Sequence, residues 1–220
     1  MNQMQIEKEI YRSITKILEE KGIQIVLTQK IPISVSARHV HLSPEHVETL
    51  FGKGYSLTYF RNISQPGQYA CQEKVSIEGP RGRIDNVRIL GPSRGQTQVE
   101  VSMTDARKLG LKPPVRRSGN LEGSEAVTLI AINGRKLSLS EGCIIADRHV
   151  HMTPEDASRF HVMDGDRIAV KVSGEKPGIM GNVTVRVKDT YKLDMHIDTD
   201  DGNAFLIQGS ESGEIVKESW

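Results

Sequence analysis

One unit occurs twice in this sequence. Ala37-Arg38-His39-Val40-His41-Leu42-Ser43-Pro44-Glu45 returns 110 positions later as Asp147-Arg148-His149-Val150-His151-Met152-Thr153-Pro154-Glu155. Chance does not make Arg-His-Val-His twice with Ser/Thr-Pro-Glu after both, so the chain has two related halves. Each copy reads as a strand ending at an N-cap, Ser43 or Thr153. Pro44 or Pro154 then takes the first helical position, where its missing N–H is no loss, and an acidic residue follows. Any fold of this chain must therefore present the same strand-to-helix corner twice.

The remaining texture is short β-branched runs: Ile25–Leu27, Ile31–Val35, Val75–Ile77, Val87–Leu90, Val99–Val101, Val127–Ile132, Ile168–Val172, Val183–Val187, Met195–Ile197 and Phe205–Ile207. Breaks fall at Gly79-Pro80-Arg81-Gly82, Asn133-Gly134, Asp164-Gly165-Asp166 and Asp201-Gly202-Asn203. Many short strands with Gly, Asn and Asp turns predict a mainly β protein, barrels or sandwiches, with two or three short helices besides the first. That first helix spans 1–22, where Ile6, Ile10, Ile14, Ile17 and Leu18 make one apolar face and Gly22 stops it. Two readings fit it: a docking helix, self-associating or shell-targeting, or a helix packed on its own domain.

At 220 residues and 37% hydrophobic, the chain can bury a core, which excludes disorder along most of its length. Its 29 Lys plus Arg nearly cancel 28 Asp plus Glu, so no overall field points to nucleic acid and an anionic ligand needs a local basic cluster. No segment approaches the ~20 apolar residues of a membrane span, and no signal peptide is evident, so we expect a soluble intracellular protein under reducing conditions. Cys71 and Cys143 are too few for a disulfide scaffold and lack the spacing of a thiolate zinc site. Walker-type, dinucleotide-binding and serine-elbow motifs are absent, which removes support for nucleotide hydrolysis, hydride transfer and serine hydrolysis.

The histidines carry the chemistry. On a strand, residues two apart share a face, so His39 and His41 converge, as do His149 and His151, each pair a two-nitrogen clamp for a divalent metal. His196 shares a face with Asp194 and Asp198 and fits a third ligand with a carboxylate behind it, or an exposed strand histidine. Glu100, between Val99 and Val101, fits the oxygen ligand of the first pair, or simple exposure. His46 and His161 read as structural or exposed. Gly91-Pro92-Ser93-Arg94-Gly95 sets one guanidinium among glycines, which suits inorganic phosphate as well as it suits a plain turn. Arg61, Lys74, Arg81, Arg83 and Arg88 make the segment before it basic, either for a polyphosphate ligand or as a solvated face.

At these residues the sequence resembles the PduL-type phosphate acyltransferases, phosphotransacylases also called phosphate propanoyltransferases. The resemblance runs from about Lys30 to Gly209 through Val35–Ser43, Arg88–Arg94, Gln98–Glu100, Asp147–His151 and His196–Asn203. It implies two β-barrels capped by short helices, with residues 28–37 and 147–216 in one barrel and 38–146 in the other. It also implies interconversion of acyl-CoA plus phosphate with acyl-phosphate plus CoA at two metal ions, usually zinc. Carried over by motif, His39, His41 and Glu100 would bind one metal and His149, His151 and His196 the other. Arg94 would grip phosphate, while Ser36, Arg61, Arg88, Leu90 and Asn203 would line the coenzyme A site.

The family further implies a homodimer in the cytoplasm or, where an N-terminal helix is a targeting peptide, in the lumen of a bacterial microcompartment with a shell or cargo contact through 1–22. We expect direct attack of phosphate on the thioester, with no acyl carrier on Cys71 or Cys143. A metal-dependent thioester hydrolase and a noncatalytic metal-stabilised or shell-associated module are the competing classes.

Overall fold

The computed structural model describes residues 30–216. The helix expected over 1–22 and the run Ile25–Leu27 lie outside the described residues. Fourteen strands and four short helices are described. Among them is every strand expected from a β-branched run between Ile31 and Ile197.

The first half supplies β1 (Ile31–Ser36), β2 (His39–His41), α1 (Pro44–Phe51), β3 (Tyr59–Asn62), β4 (Tyr69–Gly79), β5 (Gly82–Gly91), β6 (Gln98–Glu100), α2 (Met103–Leu109), β7 (Val115–Arg116) and β8 (Glu125–Ala131). The second supplies β9 (Lys136–Ala146), β10 (His149–Met152), α3 (Pro154–Phe160), β11 (Arg167–Val172), β12 (Gly178–Val187), β13 (Asp194–Asp198), α4 (Thr199–Ala204) and β14 (Ser212–Val216).

Two closed six-stranded barrels result. One runs β1-β13-β10-β12-β11-β14. The other closes through β4-β5-β2-β6-β9-β8 and back to β4, with β3 and β7 added at β4 and β9. The two follow one plan. Each His-Val-His strand lies between a parallel neighbour, β5 or β12, and an antiparallel one, β6 or β13. The strand that opens each repeat, β1 or β9, sits in the barrel completed by the other repeat, β1 parallel to β13, which carries His196, and β9 parallel to β6, which carries Glu100. Strand exchange thus runs both ways and ties the halves together at the two corners.

Each barrel has its own core. Val40, Leu42, Ile77, Ile89, Val99 and Leu129 fill one, and Ile31, Val150, Met152, Val170, Val185 and Met195 the other. The central valine of each His-Val-His points into its barrel, so strand alternation turns both flanking histidines to the opposite face. The corners end as the sequence requires: Ser43 Oγ accepts the His46 N–H at 3.2 Å, and Thr153 forms a capping box with Asp156.

Three expectations need correction. Asp201-Gly202-Asn203 is not a break between strands but lies inside α4, which Asp198 caps, its side chain accepting from Asp201 N at 2.8 Å. The Asp, Gly and Asn that form turns equally suit a short N-capped helix. Gly202 is also required by space, since a Cβ there would meet Val35 at 2.9 Å, and its absence lets α4 settle on β1. In turn Phe205–Ile207 is not a strand: Phe205 caps the helix end and packs on the core. Four short helices follow the N-terminal segment where two or three were expected, because α2 and α4 are each barely two turns long.

Candidate active site

The four corners share a rule of position. In each, the last histidine or glutamate of the strand stands two residues before a helix N-cap: His41 before Ser43, Glu100 before Ser102, His151 before Thr153 and His196 before Asp198. Antiparallel pairing then sets Glu100 directly across from His39 and His196 directly across from His149. Two clusters form, His39-His41-Glu100 and His149-His151-His196, each with one potential ligand atom per residue and all of these within 4.8 Å of one another.

The first histidine of each repeat is oriented by its own backbone. His39 Nδ1 donates to the Ala37 carbonyl at 2.9 Å and His149 Nδ1 to the Asp147 carbonyl at 2.8 Å, which leaves Nε2 with its lone pair for the cluster. His39 Nε2 lies 3.5 Å from Glu100 Oε2. His196 Nε2 lies 3.1 Å from Asp194 Oδ2, and Ser34 Oγ donates to the same carboxylate oxygen at 2.8 Å. Tyr191 tilts over His151 at 4.3 Å.

Burial and neighbouring positive charge keep most of these imidazoles neutral. Burial, then Arg186, hold His149 at about 4; burial, then His149 and His196, push His151 to about 2. His41 is lowered well below its ordinary value by burial and by His39. Burial alone would raise the Glu100 carboxyl, but His39, by charge and hydrogen bond, carries it far below the usual carboxylate range. His39 moves up in return, Glu100 outweighing burial.

The donor sets fit a divalent ion. Nδ1 of His41 and Nδ1 of His151 are buried without a hydrogen-bond partner among the described residues, a costly state that ligation relieves. In both clusters this is the second histidine of the repeat. Neutral imidazoles with one carboxylate are a borderline-soft set suited to zinc and its neighbours.

Both clusters open on one cleft of about 770 Å³ between the barrels, which Arg94 also lines. Arg94 is fixed beside the first corner, its backbone N–H donating to the Leu42 carbonyl at 2.9 Å. Its Nη1 donates to Ser118 Oγ at 3.3 Å and its Nη2 to Gln68 Oε1 at 3.2 Å. Gln98 Nε2 donates to the same Ser118 oxygen at 2.8 Å and to Glu100 Oε1, so one network joins the guanidinium to a cluster residue. The loop after β3 crosses between barrels: Gln65 Nε2 donates to the Lys192 carbonyl at 3.0 Å, and Ser64 Oγ lies 3.3 Å from His196 Nε2.

Ser36, Arg61, Arg88 and Leu90 line this cleft too. Arg88 stacks over Phe60 at 5.0 Å and donates to the Cys71 carbonyl at 2.8 Å. Asn203 is exposed on α4 and is not among the lining residues, nor are Lys74, Arg81 and Arg83. His46 is structural, its Nδ1 2.7 Å from Thr97 Oγ1, and His161 is an exposed helix cap. Burial pushes the Cys71 thiol to about 11 and the Cys143 thiol to about 12, so neither is a thiolate near neutrality.

Sequence reading missed Ser64, Gln65, Gln68, Ser118, Tyr191 and Arg186. The last is in register with His151, and its Nη2 donates to Asp147 Oδ1 at 2.5 Å. None of the six has a local signature, since each reaches the cleft through a pairing or loop crossing distant in sequence.

The sequence model of the phosphate propanoyltransferase family matches residues 32–208. The chain is 50% identical over 211 residues to a phosphate propanoyltransferase of Thermotoga maritima, covering 96% of this chain and 95% of that one. It is 50% identical over 218 residues to one of Lachnoclostridium phytofermentans, covering 98% and 99%. With one of Alkaliphilus metalliredigens it shares 45% over 210 residues, covering 96% and 97%.

Proposed function

The chain belongs to the phosphate propanoyltransferase family, and on that premise we propose that it exchanges the CoA thiolate of a short acyl-CoA, propanoyl-CoA or acetyl-CoA, for inorganic phosphate in the cleft between its barrels. The observation that carries this reading is the convergence of both histidine clusters and Arg94 on one cleft. Two divalent ions, read as zinc, one on His39, His41 and Glu100 and one on His149, His151 and His196, would supply Lewis-acid polarisation of the thioester and stabilise the leaving thiolate.

The chain's own groups do the positioning. Arg94, which lines the cleft and whose Nη1 and Nη2 each carry a second hydrogen besides the one given to Ser118 or Gln68, would hold phosphate so that one oxygen faces the carbonyl carbon. That C–O bond forms as the C–S bond breaks, and sulfur leaves with the electron pair. We assign Arg61 and Arg88, with Ser36 and Leu90, all in the cleft lining, to the CoA ligand, its phosphates on the arginines, and the exposed Asn203, outside that lining, to the outer part of the same ligand. No covalent carrier is needed, and the raised thiols of Cys71 and Cys143 argue against one. A Cys71→Ala/Cys143→Ala variant should keep its turnover; its loss from a folded protein would sink direct attack.

We read the enzyme as a cytoplasmic homodimer, with a microcompartment lumen as the alternative address. Among the described residues no helix is long and apolar enough to cross a membrane. The test of the reaction is free thiol released from propanoyl-CoA with and without phosphate, after chelation and after zinc is restored. Phosphate-dependent, zinc-restored release is expected. Phosphate-independent release would identify a hydrolase, and none from folded, metal-loaded protein a noncatalytic module.

A further inference from the structure

The arginine that opens each Arg-His-Val-His donates to an aspartate of a helix distant in sequence, although Arg38 also lines the cleft. Arg38 Nε donates to Asp105 Oδ2 at 2.7 Å. Arg148 Nε and Nη2 donate to Asp201 Oδ2 and Oδ1 at 2.7 and 2.6 Å. The partners are 67 and 53 residues away in sequence, yet they hold the same station. Asp105 is the third residue of α2 and Asp201 the third residue of α4, and each backbone N–H donates to its helix N-cap, Ser102 or Asp198. Those N-caps stand two residues after Glu100 and His196. Each pair therefore joins the residue next to the first histidine of a cluster to the helix that begins just after its third member.

The two helices are also joined to each other. Thr104 N, in α2, donates to Asp200 Oδ2, in α4, at 2.8 Å, across the boundary between barrels. Both aspartates are sheltered, with side chains 5% and 18% exposed. The arginines are 40% and 37% exposed, so the pairs act by fixing geometry more than by strength, and Arg148 meets its partner with two donors.

We propose that Arg38–Asp105 and Arg148–Asp201 are paired positioning clamps, each fixing the third ligand of one metal site, Glu100 or His196, against the His-x-His of the same site, with Asp200 bracing the two clamps together. The assignment rests on the metal-centre reading above. It makes Arg38, Asp105, Arg148 and Asp201 positioning residues that act through the ligands and need not touch substrate.

The test is zinc titration of the metal-free whole chain against a competing chelator, read as two dissociation constants. Glu100→Ala and His196→Ala identify which constant belongs to which site. Asp105→Asn should weaken only the site lost in Glu100→Ala, and Asp201→Asn only the site lost in His196→Ala, each by about 10- to 100-fold, the usual effect of removing a group that orients a ligand. Arg38→Lys and Arg148→Lys, which keep the charge but not the fork, should fall between wild type and these. They carry the test if an asparagine variant does not fold.

Unchanged constants, or equal weakening of both sites by each variant, would overturn the clamps and leave only a general contribution to the fold. A folded wild type that binds no zinc would instead overturn the metal-centre reading, and the clamps with it.

Discussion

The two barrels share one scaffold and differ at the few positions where chemistry is placed. Both have the His-x-His strand, the parallel and antiparallel neighbours, the capped corner and the arginine–aspartate pair. They differ along the antiparallel neighbour of the His-x-His strand, β6 or β13. The first barrel has Gln98 then Glu100, and the second Asp194 then His196, with Gln98 across from His41 and Asp194 across from His151. Each cluster thus has one carboxylate, but in the first it faces the site and in the second it stands behind an imidazole. The lesson is that duplication supplied geometry while charge was assigned locally. Each cluster also has an arginine near it, Arg94 by the first and Arg186, paired with Asp147, by the second.

The comparison breaks most visibly if one cluster proves dispensable. His41→Ala and His151→Ala should each lower kcat/KM for propanoyl-CoA and phosphate by at least about 10³-fold, the several kcal/mol of charge stabilisation that a metal supplies. A steady-state assay in which either variant keeps wild-type turnover would leave one barrel as scaffold. Arg94→Ala should cost about 10²- to 10³-fold, mostly at subsaturating phosphate, with metal content unchanged. Arg94→Lys should recover only part of that, since an ammonium lacks the fork. Exchanging the third ligands sharpens the point. Glu100→His should keep two zinc equivalents by elemental analysis, because both donor sets suit zinc, and lose about tenfold in turnover through the changed charge.

What the sequence revealed follows from how local each signal is. The corners were legible because N-cap, proline and acidic residue act within four positions. The His-x-His clamps were legible because strand alternation is a rule of neighbours. Glu100 and His196 were readable only as options, although their station two residues before an N-cap, shared with His41 and His151, is a signal that could have singled them out. The reciprocal exchange of β1 and β9 was not legible from local pattern. β9 opens on a polar alternation, Lys136 to Gly142, and only its apolar end, Cys143 to Ala146, pairs in parallel with β6, a partner over 30 residues back. The clamps were hidden for the same reason, since nothing near Arg38 announces Asp105. α4 was misread because Asp, Gly and Asn end one element and begin another with the same chemistry.

The smallest expected difference lies in the caps, and it tests how far the two corners are equivalent. Thr153 is capped in both directions: its Oγ1 accepts from Asp156 N at 3.1 Å while its own N–H donates to Asp156 Oδ2 at 3.1 Å. Ser43 accepts from His46 N but has no carboxylate returning the bond, and its N–H goes instead to Thr97 Oγ1 at 2.9 Å, outside the helix. Removing the hydroxyl should cost about 1 kcal/mol at either corner. At Thr153 the loss also releases the Asp156 carboxylate that its hydroxyl holds at 2.9 Å, so Thr153→Ala should be the more destabilising by a few tenths of a kcal/mol. Urea denaturation of the metal-free chain at fixed pH reads both. Ser43→Ala proving the costlier, with its backbone bond to Thr97 kept, would mean that the lone hydroxyl cap carries more at the first corner than the paired cap does at the second, and that the repeat is alike in sequence without being alike in energy.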